Sequence, residues 1–369
     1  MVPLSRGGLV LAALAASATA AGAQNPSGAW EPQTVPLFGA SYSPDIGFLF
    51  GVGVTHTRYG FHALPPSTRL FAEAQYATEA RSYRVDIAGE LRMRGPPTAF
   101  QITLRASGLE LIRFYGIGNE TPGTQPDSAY RVRQKQFLVS PAVSVPLVPR
   151  LRLTAGPVFQ YTRTESDPGT LLTTTGPYYG TGNFGEVGAH VVLDLDTRDS
   201  PMAPAHGVHV TVGGRWHPAV WHVASPFGAL SAEASTYLSA RDPANVTLAV
   251  RAGGATVAGT VPFQELVYVG GEATVRGYAE QRFAGRRGAY ANAELRLLAG
   301  RFPFGDIGIF GLGDAGRVWT DGEASDRWHA AAGGGVWVAW QHRRANTVSI
   351  AAARSPERTA VYVRAGFMF

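Results

Sequence analysis

The chain of 369 residues has no cysteine, which removes disulfides, thiolate metal sites and cysteine nucleophiles together. It also has no run of about 20 apolar residues, the length that an α-helix needs to span a bilayer. Two catalytic patterns are missing as well. There is no G-x-S-x-G nucleophile elbow and no H-E-x-x-H zinc helix. Charge is sparse, with 16% Asp, Glu, Lys and Arg, and the formal net charge of +5 is scattered among acids. A nucleic-acid binder would gather such charge on one face, so that class is set aside. No blade repeat of fixed period is visible, which speaks against a propeller.

What is present is turn-forming and β-forming. Gly 45, Pro 25 and 11% aromatics describe an all-β chain with many turns. At the N-terminus Arg6 precedes the apolar run Leu9–Ala16, and Ala21-Gly22-Ala23 makes a small-x-small cleavage pattern before Gln24. Residues 1–23 therefore read as a secretory signal peptide, with the alternative of a short membrane anchor. The expected division is 1–23 signal peptide, 24–34 short periplasmic segment and 35–369 barrel.

Period-two alternation dominates from residue 34 onward. Val85, Ile87, Leu91 and Met93 share one face against Arg84, Asp86, Glu90 and Arg92; Val187, Ala189, Val191, Leu193 and Leu195 oppose Glu186, His190, Asp194 and Asp196. Counting back from 360–369 to 35–42, through runs such as 99–114 and 289–298, gives about 16 strands. Their charged faces are too polar for the interior of a soluble sandwich. A transmembrane antiparallel β-barrel, apolar outside and polar inside, uses the same alternation. Turn lengths agree, because compact turns such as Arg94–Pro97 and Pro146–Pro149 alternate with long ones near 115–130, 166–184, 217–227, 258–289 and 320–332. Short periplasmic turns and long outer loops are the pattern of outer-membrane barrels. Trp216, Trp221, Trp319, Trp328, Trp337 and Trp340 fall near strand ends, where interfacial aromatic girdles belong.

The stretch Gly270–Tyr278 lies in the longest of these loops. Loops of that length are functional or disordered, and its aromatics, valines and paired charges oppose disorder. On the next strand, alternation sets Asn292, Glu294 and Arg296 opposite Ala293, Leu295 and Leu297, so Glu294 should point inward. Asp314 shares parity with Phe310 and Leu312, a mixed face that suits either a wall covered by an inserted loop or a different register. The chain ends with Val361, Val363, Ala365, Phe367 and Phe369 on one face. That ending resembles the C-terminal signature by which barrels are recognised for membrane insertion.

Several patches carry a wider likeness. Val275-Arg276-Gly277-Tyr278, Glu294, Leu312–Gly316 around Asp314, the turn with Asp196, Arg198, Asp199, Pro204 and Gly207, and Phe114–Asn119 together resemble the BamA/TamA outer-membrane assembly superfamily, the bacterial surface antigen family. The resemblance implies a long loop folded into the lumen, where Arg276, Gly277 and Tyr278 form a latch on Glu294 and Asp314. It also implies an outer-membrane location and a role in assembling, inserting or secreting outer-membrane proteins or lipids. Polypeptide-transport-associated (POTRA) domains, common in that family, are not expected in the eleven or so residues between 24 and 34, so client capture by such domains is not carried over, and a separate periplasmic partner is one way to supply it. Expected partners are outer-membrane lipids, lipopolysaccharide and outer-membrane protein substrates; no cofactor, metal or nucleic acid is expected, and no enzymatic activity. Two other readings stay open: a passive or gated channel, and a barrel enzyme acting on lipid or peptide. Gly311–Gly316 matches G-x-G-x-x-G, but the residues after it do not look helical, so a dinucleotide site is not expected. His206 and His209 fall on opposite faces of a strand, which makes them poor co-ligands.

Overall fold

The structure is a computed structural model that describes residues 30–60, 63–93, 98–240 and 244–369. The proposed signal peptide, most of the 24–34 segment and the Arg94–Pro97 turn lie outside the described residues. In chain order the strands are β1 (Gln33–Ser43), β2 (Gly47–Gly60), β3 (Ala63–Ala77), β4 (Ser82–Arg92), β5 (Ala99–Ser107), β6 (Gln134–Val148), β7 (Leu151–Thr164), β8 (Asn183–Asp196) and β9 (Gly207–His217). They continue as β10 (Phe227–Ser239), β11 (Val246–Gly259), β12 (Val267–Val269), β13 (Phe283–Gly285), β14 (Arg287–Phe302), β15 (Gly305–Trp319), β16 (His329–Trp340), β17 (Thr347–Arg354) and β18 (Thr359–Ala365). All except β12 and β13 form one closed antiparallel barrel, with β11 paired to β14 and β18 returning to β1. The barrel is thus all-β and 16-stranded. The short β12–β13 hairpin stands apart from it.

Alternation explains which way each residue points. In β14, Tyr290, Asn292, Glu294 and Arg296 are buried, whereas Ala291, Ala293 and Leu295 are exposed. Around the barrel the exposed set is strongly apolar: Phe48, Phe50, Val52 and Val54 on β2, Phe137 and Val139 on β6, Leu230 and Leu238 on β10. A continuous apolar exterior of this extent is not tolerated in water, and a bilayer is the solvent that suits it. The long connections (108–133, 165–182, 218–226, 260–286, 320–328) all leave from one rim, which also carries the tight turns 44–46, 78–81 and 355–358; the opposite rim has no connection longer than the ten residues between β8 and β9. The three register shifts, at Arg58/Gly60, Pro146/Val148 and Leu298/Gly300, all sit at that opposite rim, where bulges bend a strand out of the barrel wall.

Three expectations are corrected. The run read as a strand over 99–114 stops at Ser107, because Leu109, Leu111, Ile112 and Phe114 pack inward into apolar clusters and do not alternate toward lipid. The first strand, read over 35–42, extends at both ends, and β1 spans 11 residues. The last strand ends at Ala365, and Phe367 and Phe369 are buried, so they do not share the outward face of Val361. Gly366 causes that turn. Its φ of +73° is a left-handed conformation, and a Cβ there would lie 2.4 Å from the Met202 carbonyl oxygen. Trp337 likewise packs inward against Phe367, whereas Trp216, Trp221, Trp328 and Trp340 stay exposed.

Val191, in the middle of β8 and exposed, tests the lipid-facing assignment. Val191→Arg should lower the unfolding free energy in vesicles by about 2–4 kcal/mol, and Val191→Leu should change it little. Equal stability of the two in a urea titration would contradict a membrane-facing position.

Candidate functional site

The excursion between β11 and β14 is buried along almost its whole length. It touches elements from all around the barrel: Glu265 accepts from Gln160 on β7 and Arg215 on β9, Gly277 meets Tyr362 on β18, and Glu280 meets Asp45 in the β1–β2 turn. A segment that contacts opposite walls of a closed barrel lies across its interior. Its apolar parts are packed as a core, with Phe263, Leu266 and Val267 against Leu111 and Phe114, and Val275, Tyr278 and Phe283 against Tyr290 and Val318.

Arg276 is the polar centre of this packing. Its Nε and Nη2 donate to Asp314 Oδ2 and Oδ1 at 2.7 and 2.8 Å, a bidentate pair, and its backbone amide donates to Oδ2 at 3.0 Å. Nη1 donates to Glu294 Oε1 at 2.6 Å. All three side chains are essentially shielded from solvent, at 3%, 0% and 0% exposure. A planar guanidinium holds both carboxylates in fixed orientation as well as charge. Gly277 contributes through its backbone. Its amide donates to the Tyr362 hydroxyl at 3.0 Å, and its carbonyl accepts from Ser355 Oγ at 2.8 Å. Tyr278 packs edge-on to Phe283 and His329, and its carbonyl accepts from Arg358.

The network extends further than the residues read from the sequence. Arg296 donates to Glu294 Oε2 through Nε and Nη2 at 2.9 and 2.7 Å, so Glu294 is shared between two arginines. Arg296 also donates to the backbone oxygens of Pro204, at 3.2 Å, and Phe369, at 2.8 Å, and its guanidinium lies 3.8 Å over the Phe367 ring. Asn292 donates to Asp314 Oδ1 and to the Thr274 carbonyl, and accepts from Arg251. The inward parity of Asn292 and Arg296 was readable from the sequence, but their partners were not. Asn119, at the end of Phe114–Asn119, is fully buried and accepts the Val318 amide, while Gly118 pairs with Ala284 of β13. The mixed face of Asp314 has a cause: Phe310 and Leu312 are covered by the inturned Phe367. A void of about 10 Å³ beside Arg276 and Glu294 holds one water at most.

The turn between β8 and β9 gathers the other predicted residues. Asp196 accepts Arg198 Nε and Nη2 at 2.9 and 2.7 Å. Asp199 accepts the Ala205 amide at 3.0 Å and pairs with Arg344. Gly207, at φ +106°, leaves no room for a Cβ, which would lie 2.5 Å from the Thr197 carbonyl oxygen. The same turn receives the tail, since the Phe367 amide donates to Met202 O at 3.1 Å. Val361 and Val363 stay in β18, away from both networks. Among the described residues no cluster of His, Asp and Glu is arranged to hold a metal.

A model of the Omp85 superfamily domain matches residues 68–348. The outer membrane transporter CdiB of Dickeya dadantii (strain 3937) is 31% identical over 113 residues, which is 28% of this chain and 20% of that protein. The chain therefore spans about a fifth of that relative's length. Among solved structures, BamA from Haemophilus ducreyi lacking POTRA domains 1–3 aligns with a TM-score of 0.64 at 14% identity, covering 90% of this chain and 70% of that one. CdiB from Escherichia coli aligns at 0.55 and 13% identity (92% and 63% covered), and CdiB from Acinetobacter baumannii at 0.54 and 11% (91% and 60%).

Asp314→Ala leaves a buried cation without its main partner, and should cost about 3–5 kcal/mol of barrel stability. Arg276→Ala/Asp314→Ala together should cost less than the sum of the single changes, read as melting of the heat-modifiable band on a gel. Additive losses would mean that the two do not interact. In the turn, burial opposes ionisation of Asp199, but the amides of Ala205 and His206 and the Arg344 guanidinium hold its carboxyl below the usual value. A depressed folded pKa stabilises above the unfolded value of about 4 and is lost as pH falls through the folded one. Asp199→Asn should therefore melt below wild type at pH 7, with the gap closing below about pH 4.

Proposed function

This chain belongs to the Omp85 superfamily, and from that premise we propose that it moves polypeptides into or across the outer membrane in which its barrel resides. The reading is an assembly, insertion or secretion role, with residues 1–23 as the export signal and a separate periplasmic protein delivering the client. Outer-membrane lipids and lipopolysaccharide surround the barrel in this reading. The latch of Arg276, Gly277 and Tyr278 on Glu294 and Asp314 keeps the lumen shut between clients.

One observation supports this reading above the others: the barrel's closing seam. The register between β1 and β18 joins only Tyr42 with Val363, whereas β1 and β2 pair from Gln33 with Thr57 through Ser43 with Gly47. A seam that weakly paired can part toward the bilayer while the other ladders hold. The alternative of a wide passive channel is poorly served by a lumen crossed by a buried, ion-paired segment.

Because the natural chain has no cysteine, Tyr42→Cys/Val363→Cys offers a single bridge across the seam. Depletion in cells should remove other barrel proteins or a secreted client from their destination, and the oxidised double variant should fail to restore them, whereas the reduced form should succeed. Planar-bilayer currents of the wild type should be small or flickering, and larger for Arg276→Ala. Unchanged client levels on depletion, with large steady wild-type currents, would replace assembly by a channel.

A further inference from the structure

We infer that the outer rim of β6 and β7 is a binding site for the phosphorylated headgroup of an outer-leaflet lipid, built on Lys135, Arg163, Arg81 and Arg131. The inference rests on the long-loop rim facing outward, but on no transport role.

The ladder places Lys135 directly opposite Arg163. Both are exposed, and their flanking residues Gln134 and Thr164 point inward, joined by a hydrogen bond of 2.9 Å. Like charges opposite one another in a sheet destabilise it, and neither side chain has an ion-pair partner among the described residues. An anion between them turns that repulsion into attraction.

A concave surface lies on the Lys135 side of this pair. A groove of about 440 Å³ runs between the β3–β4 turn and residues 131–135, with Lys135, Arg81, Arg131 and Arg133 along it. Glu79 stands 3.9 Å from Arg131, and Glu165 and Asp167 stand 3.7 and 3.1 Å from Arg133, at least partly exposed pairs of little strength. At the groove's floor Asp45 is already held by Arg113 and Arg358. Among the described residues Lys135 and Arg81 have no ion-pair partner.

What lies below the cations selects a lipid over a soluble anion. On the same outward face, one and two pairs further into the membrane, Phe137 sits opposite Tyr161 and Val139 opposite Phe159. Phe137, Val139 and Phe159 are all more than 40% exposed. A phosphate at Lys135 and Arg163 would thus have its acyl chains lie along an apolar wall. Headgroup charge and chain are met in the order that an outer-leaflet lipid presents them.

The test uses the full chain in a zwitterionic detergent, with bisphosphorylated lipid A as the probe and native mass spectrometry as the readout. Wild type should retain lipid A, and Lys135→Gln/Arg163→Gln should bind it about thirty-fold more weakly, from two lost surface cations. Arg343→Gln, at the opposite rim, should bind as wild type. Should the double variant not run as a folded, heat-modifiable barrel, Lys135→Gln alone should still weaken binding about five-fold. Equal retention by wild type and variant overturns the site. So does competition by inorganic phosphate or polyglutamate at the lipid's own concentration, which would mark it as a site for a soluble anion or an acidic chain.

Discussion

A guanidinium without water must be surrounded by acceptors, and in this barrel Arg276 sets that demand. Transfer of an unpaired cation into a dry interior costs several kcal/mol even after relaxation, so the arrangement survives only where partners are complete. Two strands supply them: Glu294 from β14 and Asp314 from β15. Because Glu294 also binds Arg296, whose remaining donors reach Pro204 and Phe369, one charge network ties the internal loop to the β8–β9 turn and to the chain's end. Each part would be a surface loop or a fraying terminus if considered alone.

The same network accounts for the weakness of the seam. Extending the register of Tyr42 with Val363 along a straight β18 would bring Phe367 beside Phe38 and Phe369 beside Pro36. Those residues are instead inside the barrel, under Arg296, because Gly366 turns the chain and Met202 receives the Phe367 amide. Phe38 is left 81% exposed. The tail cannot both complete the interior network and zip the barrel shut. An unpaired strand edge is a template for another strand, and here that edge is created by what stabilises the lumen.

Legibility in the sequence followed the length scale of the interaction. Period-two alternation is local, so it placed the barrel strands within a few residues and turned Glu294, Asn292 and Arg296 inward before any partner was known. It failed where tertiary packing replaced lipid as the apolar surroundings. Leu109 to Phe114 alternate like a strand, but Leu111 and Phe114 bury themselves against the internal loop and Leu109 and Ile112 against Ile46 and Ala77, and Phe367 and Phe369 continue the β18 pattern only until Gly366 breaks it. The β12–β13 hairpin is three residues a side, too short for a periodic signal. The pairing of Arg276 with Asp314, 38 positions away, has no local signature at all. It came from resemblance, as did the turn around Asp196, and periodicity could not have supplied either.

Magnitudes then decide which part of the molecule yields first. Lifting the internal loop would break the Arg276 pairs and expose carboxylates and apolar core together, with several kcal/mol for each charge left unpartnered. Parting β1 from β18 breaks the pairing at Tyr42 and Val363, and a backbone hydrogen bond contributes on the order of 1 kcal/mol net. Among the described residues every other strand pair in the barrel is registered over seven positions or more, the shortest being β17 with β18. The softest coordinate is therefore sideways, into the membrane, with the lumen still occupied. A barrel built to conduct would place its softness the other way, in the plug, with the wall continuous around it.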